Sequence, residues 1–579
     1  MQAYSRDMAS LVRATSLDEL RSAGRLVVHL DGHTLALFLD GDAVHACDNR
    51  CPHMGFPLHR GTIKDGILTC HWHHARFDLG SGGTFDQWAD DLRSYAVEVR
   101  DGDVLVDLAP RRDPVEHQRK RLRDGLERNI SLVVAKAVVT LADAGVEPAE
   151  PYAIGLDFGV RNRRGGWGQG LTMLTCFQNM LPALEQEDRK AGLYHGLAAV
   201  AVDSDGEPPR FQIEPLPDDA PIASLKAWFR QFVEVRDAEG AERCLVSAVR
   251  AGGGSAELAD MLFAAATDHR YIRTGHVLDF TNKALEGLDV AGWERAEPVL
   301  ASLAAEYAGA ERMEEANEWR HPVDLVAILE AAFEELPGAS GPGTWDARDE
   351  LVQVVLGEDP QAIADALLAA LREGATADAL AGAVSYAAVL RIARFPTSNE
   401  FGDWDTALHT FTFASAVQQG LRRTPSPELL RGVFDAAMSV YLDRFLNVPA
   451  VRLPEADGAT ARPEELLEEL PLLLDRQQRV NEAGALVASY LGTGGDDARL
   501  LAALGAGLVR EDRDFHTIQC VEAAFRRYAD LRGTEAGTHV LVAAARYLAA
   551  HAPTMRAERQ TLDIARRLQR GERLYEDVA

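Results

Sequence analysis

The sequence predicts a multidomain protein: a small antiparallel all-β domain followed by a large all-α domain built from recurring helix pairs. Three observations carry this. Residues 18–108 hold four Asp-Gly pairs between short Val- and Leu-rich runs, the chemistry of tight hairpin turns. After Pro110 the texture becomes Ala/Leu-rich with helical periodicity. Pro- and Gly-rich breaks at 203–221, 337–345 and 447–463 then separate helical stretches. The chain divides on these signals into a β domain over 1–110, a basic linker and first helix over 111–130, and a helical domain over 131–579.

In the β part, the runs 26–30, 34–39 and 104–108 read as strands. Asp31-Gly32, Asp40-Gly41, Asp65-Gly66 and Asp101-Gly102 bound them, so a meander of hairpins is expected. The segment RRDPVEHQRKRLRDGLER then reads as a solvated linker and first helical turn; a docking strip for an acidic electron-transfer partner is the alternative. Farther on, LVSAVRAGGGSAELADMLFAAATDHRY aligns loosely with LLAALREGATADALAGAVSYAAVLRIARF, and each precedes a helix opened by histidine, His276 and His409. FHTIQCVEAAFRRYADL supplies a third such helix with His516, and a weaker copy has Leu171 in that place. The spacing of ~105–135 residues exceeds that of common solenoids, which suggests duplicated helix pairs.

Composition excludes several classes. Sixty basic against 89 acidic side chains give −29, which argues against nucleic acid or an anionic membrane surface as the main partner. Six cysteines are too sparse for a disulfide framework. The start, MQAYSRDMAS, lacks the cationic and apolar regions of a secretory signal. No apolar run reaches the ~18 residues of a membrane span, the most apolar stretch being broken by Lys136. A soluble, cytoplasmic chain is expected.

The most specific pattern is CPHMGFPLHRGTIKDGILTCHWHHARFDLGSGGTFD. It contains Cys51-Pro52-His53, sixteen intervening residues, then Cys70-His71-Trp72-His73. A Cys₂His₂ zinc site would want Cys-x₂₋₄-Cys and His-x₃₋₅-His pairs, whereas each loop here carries one cysteine and one histidine. The pattern resembles the Rieske family, in which two cysteines hold one iron of a [2Fe–2S] cluster and two histidines the other. The resemblance implies Cys51 and Cys70 as sulfur ligands and His53 and His73 as nitrogen ligands. Gly55, Pro57, Phe77 and Asp78 also match the family's ligand loops. Respiratory-type members carry a bracing disulfide where this chain has Phe56 and Trp72, and hydroxyl donors where it has Ala75 and Phe77. Fewer donors imply a low potential, toward ~−150 mV, as in the ferredoxin and oxygenase subtype. His74 stands where the family usually has glycine.

A cluster moves single electrons and does not itself remodel a substrate, so substrate chemistry needs a second site. The Asp-x-x-His-x₄₋₅-His iron motif of ring-hydroxylating oxygenases does not occur. The segment ATDHRYIRTGHVLDFTNKALEGLD is the candidate in the helical part. On a continuous helix His269, His276 and Asp279 would share one face, with the two histidines ~10.5 Å apart, too far to ligate one ion together unless the helix breaks at Gly275. His276 with Asp279 is a feasible metal pair for a second, non-haem iron, to be completed by His409, His516, His195 or His321. HRYIRTGH, LHTFTFASA and DFHTIQCVEAAFRRYADL resemble the helical questin oxidase-like proteins. That resemblance implies oxygen-dependent oxidation of aromatic or quinone-like substrates, with His269, Arg273, His276, His409 and His516 in the catalytic pocket. Imidazole can take a phenolic proton and arginine can stabilise the oxyanion. GGWGQG at 165–170 is a poor dinucleotide fingerprint, so electrons are expected from a separate reductase or ferredoxin. The opposing expectation is a non-catalytic electron carrier or redox sensor with a helical interaction scaffold.

Overall fold

The computed structural model describes residues 11–109, 113–455 and 462–575. The chain forms two compact units: Met1–Glu147 together with Gln560–Ala579, and Pro148–Arg559. The boundary expected at 110 falls among residues outside those described, as does the N-terminal segment considered for a signal. The first compact unit extends past 110, through the next two helices to Glu147.

The first unit contains a six-stranded antiparallel sheet, ordered β1(Leu11–Ser16)-β9(Asp103–Asp107)-β8(Ser94–Arg100)-β4(Ala43–Asp48)-β3(His33–Asp40)-β2(Arg25–Leu30). A smaller antiparallel sheet is β5(Thr62–Lys64)-β6(Ile67–Thr69)-β7(Arg76–Asp78). Three of the Asp-Gly pairs are the central residues of two-residue hairpin loops. Their φ values are positive at both positions: 43° and 81° at Asp31-Gly32, 55° and 78° at Asp65-Gly66, 53° and 84° at Asp101-Gly102. At the fourth the loop is Gly41-Asp42, one residue later, with Gly41 at φ 60°.

Alternation along β3 divides the interior in two. Leu35 and Leu37 pack with Leu20, Tyr95, Val104 and Val106. Ala36 and Phe38 point the other way, to Cys51, Cys70, Ala75 and Phe77. Burying a side chain the size of Phe77 contributes roughly 2–3 kcal/mol, so this second core clamps the cysteine-bearing loops against the main sheet.

The basic segment is a helix, α2 (Pro114–Glu127), started by Asp113 accepting from the Val115 amide, with Pro114 in the first turn. Its Arg121 is buried and donates to the carbonyls of Gln87 and Ala89 at 2.9 and 3.0 Å. Part of the segment expected to be a solvated linker and first helical turn is therefore packed. α3 (Ser131–Asp143) follows. Gly125 lets the two helices approach, since a Cβ there would meet Val133 and Val134 at 3.0–3.1 Å.

The second unit is helical. Three of its helices are used below: His276–Ala291, Asp403–Arg423 and Phe515–Leu531, called the His276, His409 and His516 helices. The helix through His269 and His276 is not continuous; it breaks before His276. A helix ends at Asp268, and Tyr271, Arg273, Thr274 and Gly275 all take positive φ, 41°, 48°, 50° and 92°. Each such non-glycine residue costs on the order of 1 kcal/mol. Packing holds the turn: a Cβ on Gly275 would lie 2.7 Å from Phe413 of the His409 helix. His409 also lies on the second turn of its helix rather than opening it. Among the described residues no helix is long and apolar enough to cross a membrane.

Candidate functional sites, a cysteine–histidine centre and a histidine trio

In the first unit, Cys51 follows β4 and Cys70 follows β6, so both ligand loops spring from strand ends. The Cys51 amide donates to Phe56 O at 2.7 Å and the Cys70 amide to Ala75 O at 2.9 Å, closing each loop on itself. Gly55 (φ 83°) and His74 (φ 63°) take the left-handed backbone these loops need. The second accounts for the glycine usual at that position.

The two thiols lie within hydrogen-bonding reach. That bond, followed by burial, raises Cys51, while the same bond lowers Cys70 to about 6. Backbone amides of His53 and Met54 point at the Cys51 sulfur, and those of Trp72 and His73 at the Cys70 sulfur. The pair is therefore built to carry negative charge. The His53 and His73 rings lie 4.9 Å apart at 85°. Burial, then the charge of Lys136, lowers His53 to about 4, and burial lowers His73. Both are neutral at pH 7 with a lone pair to offer. His53 Nδ1 is buried with no hydrogen-bond partner, an orphan that an iron ligand would satisfy. Two convergent thiols, two neutral imidazoles and that orphan fit a [2Fe–2S] cluster with mixed ligation.

Around them stands a shell the sequence did not reveal. Trp88 packs edge-on against His53 at 4.6 Å, and Trp72 lies tilted by 37° against His73 at 4.3 Å. Lys136, on α3, donates to Pro52 O and His53 O at 2.6 and 2.7 Å. Burial lowers its ammonium to about 8, opposed by Asp90. Burial pushes the Asp90 carboxyl up, but His117 at 2.7 Å, with Arg121 and Gln118, outweighs it and holds Asp90 at about 2. The signal for Lys136 was its place inside the most apolar run. A cation there stabilises the reduced centre. At ~10 Å and an effective dielectric near 20, a unit charge is worth about 1.7 kcal/mol. Lys136→Met is therefore expected to lower the midpoint potential by roughly 50–100 mV. A redox titration followed by absorbance checks this, and an unchanged potential refutes the role.

In the second unit, the structure brings His276, His409 and His516 together, with one ring nitrogen of each within 4.8 Å of the others. His409 Nε2 and His516 Nε2 are 3.0 Å apart. That spacing suits two nitrogens at ~2.0–2.1 Å from one ion. Burial, followed by the neighbouring imidazoles, lowers His276 to about 2. Burial, then His516, lowers His409 to about 4, so both rings are neutral at pH 7. Asp405 faces His516 Nδ1 at 3.4 Å and accepts from Tyr547 at 2.6 Å. A carboxylate behind an imidazole in this way orients a metal-binding ring. Asp405 was missed, although Asp-x₃-His (405–409) places it one turn before His409.

The other expected members lie elsewhere. The buried His269 has Glu314 at 2.8 Å on Nδ1 and the exposed Glu234 at 3.4 Å on Nε2. Arg273 pairs with Glu306 and reaches His276 only through its charge. Asp279 is buried and accepts from Gln519, outside the trio. His195 is spent on Val509 O at 3.1 Å, and His321 is outside the trio too. The broken helix at 271–275 is the reason. It turns His276 toward the other two helices and leaves His269 behind.

Comparison with known proteins identifies residues 10–95 as a Rieske [2Fe-2S] domain. Human apoptosis-inducing factor 3 is 32% identical over 80 residues, 14% of this chain, which thereby spans only 13% of that relative's length. The ferredoxin component of the Pseudomonas putida naphthalene 1,2-dioxygenase system is 25% identical over 99 residues, 17% of this chain and 95% of the ferredoxin. The human Rieske domain-containing protein is 30% identical over 111 residues, 16% of this chain and 71% of that protein.

Proposed function

The chain belongs to the Rieske [2Fe-2S] domain family, and from that premise we propose that it is an oxidoreductase in which a low-potential cluster delivers electrons to the helical unit for oxygen-dependent oxidation of an aromatic or quinone-like compound. The Rieske domain is an electron-transfer module, similar over nearly its whole length to a dioxygenase ferredoxin. Cys51, Cys70, His53 and His73 are its proposed ligands. Ala75 and Phe77, both fully buried, bring no hydroxyl to that core, in keeping with a low potential.

The observation that carries the catalytic half is the trio. Three imidazoles from three separate helices meet in the second unit, at least two of them kept neutral by burial. This donor set suits iron, among other imidazole-binding metals, and leaves coordination positions open. When bound, such an iron supplies oxygen chemistry beyond the reach of the cluster. The chain's own residues would hold the ion through ring nitrogens, with Asp405 orienting His516. A separate reductase or ferredoxin is the proposed donor, and a cytoplasmic setting suits the unpaired thiols.

Total iron per chain after anaerobic purification tests this. More than the cluster's two irons is expected. A ferredoxin-length match favours a second reading, an electron carrier with a helical scaffold, and a value of two selects against the iron site.

A further inference from the structure

Behind the three imidazoles the interior of the helical unit is charged. We propose that this charged file is a proton path joining the trio to solvent, with Asp279 as its inner relay. The inference rests on the reading of the trio as the place where oxygen is consumed. Hydroxylation in that reading balances as R–H + O₂ + 2 e⁻ + 2 H⁺ → R–OH + H₂O. The electrons come one at a time from the external reductase, and the protons need a route through a packed core.

The three helices provide it at successive turns. His276, Asp279, Lys283 and Glu286 follow one another on the first helix, and His516, Gln519, Glu522 and Arg526 on the third, each step ~4.5–6 Å along the axis. Asp279, Lys283, Glu286 and Glu522 are at most 7% exposed. Gln519 donates to Asp279. Lys283 donates to Glu522 at 2.8 Å and to Glu286 at 3.2 Å. Arg526 pairs with both carboxylates, at 2.6 and 2.8 Å. Asn179 also bridges them, at 2.8 and 2.9 Å.

Two cavities complete the file. A small one, with room for about a single water, lies among Asp279, Lys283, Thr412, Gln519 and Glu522. Gln519 Oε1 is buried there without a partner, as expected beside a water site. An open cavity of about 400 Å³ is lined by Asn179, Glu286, Asp289 and Arg423. Asn282, Gln419 and Arg526 border both cavities.

Charge balance singles out Asp279. Lys283 and Arg526 neutralise Glu286 and Glu522, and Asp279 is the fifth group. Burial raises its carboxyl to about 7, opposed first by Lys283 and aided by Glu522 and Glu286. Cys176, facing it from the helix Gln169–Met180, is held protonated by burial; the residues that the His409 helix brings to this cavity, Thr412, Ser415, Ala416 and Gln419, are all uncharged. A carboxyl poised near neutrality can both take and give a proton. Buried ion pairs seldom stabilise a fold more than apolar packing would, so stability alone gives little reason for five charged groups in one file.

The test uses the full holoprotein with a candidate phenolic substrate bound, reduced anaerobically with dithionite, then mixed with oxygen in H₂O or D₂O while cluster absorbance is followed. Asp279→Asn is expected to keep its iron and its cluster spectrum yet reoxidise ~100-fold more slowly, the scale of a positioned proton donor. Its D₂O effect should be larger, and Asp279→Glu should restore the rate. At neutral pH the difference infrared spectrum, wild type minus variant, should show one band of a buried protonated carboxyl, with the signals of Asp435 and Asp443, also raised to about 7 by burial, cancelling. Wild-type speed in Asp279→Asn, loss of its iron beyond the cluster, or no such band in the difference spectrum each overturns the path. His276→Ala separates the parent reading: if it reoxidises at the wild-type rate, the trio itself is not the oxygen site.

Discussion

Cys51→Ser is expected to abolish the visible absorption and the reduced EPR signal of the cluster. The Cys51 and Cys70 thiols share a hydrogen bond, and amides of His53 and Met54 point at the Cys51 sulfur. A serine hydroxyl at that place keeps its proton at neutral pH and is a poor ligand for this soft site. The substitution also leaves Cys51's buried position polar, so far-UV circular dichroism belongs beside the spectrum. A folded protein without absorption supports the ligand assignment, and a surviving cluster refutes it. Lys136, donating to the carbonyls of Pro52 and His53, makes the contrast. Its replacement should shift the potential of a cluster that is still present.

His276→Ala is expected to reduce iron to the cluster's two per chain, with the EPR signal of the reduced cluster intact. Loss of an orienting partner costs a metal site ~10–100-fold in affinity, and removal of one of three ligand rings costs more. Oxygen consumption with candidate hydroquinones should fall with the iron. Unchanged iron and turnover sink the assignment. The variant also carries a pH signature in the metal-free protein. His276 and His409 are held below the ordinary imidazole value of ~6.5 by burial. The unfolded chain therefore takes up their protons first, and their contribution to stability is present above ~6.5 and lost as pH falls below it. Denaturant titrations from pH 7 to 5 should show a shallower acid decline in His276→Ala.

Much of the first unit was legible because its signals are local. An Asp-Gly pair sets two positive φ values within its own hairpin, and alternation along β3 sorts its side chains onto two cores. Cys-x-His and Cys-x-x-His put each pair of donors on one short loop, where spacing nearly dictates reach. Even the one-residue shift at Gly41-Asp42 leaves the hairpin in place.

The sequence by itself thus determined a β cluster-carrier ahead of a helical body, the four proposed donors of the first site, and a pool of histidines for the second. Only the tertiary structure decided which histidines meet. The pairing of His269 with Glu314 and Glu234, and the left-handed turn at Tyr271–Gly275, follow from contacts tens of residues away. So does the placing of Asp279 among Lys283, Glu522 and Gln519, where burial rather than spacing sets its charge. Lys136 shows the same limit: within its helix it is a lone cation in an apolar run, and only packing aims it at the carbonyls of Pro52 and His53. Helical periodicity specifies a face, but which groups that face meets depends on crossings between distant helices, and these leave no mark in local spacing.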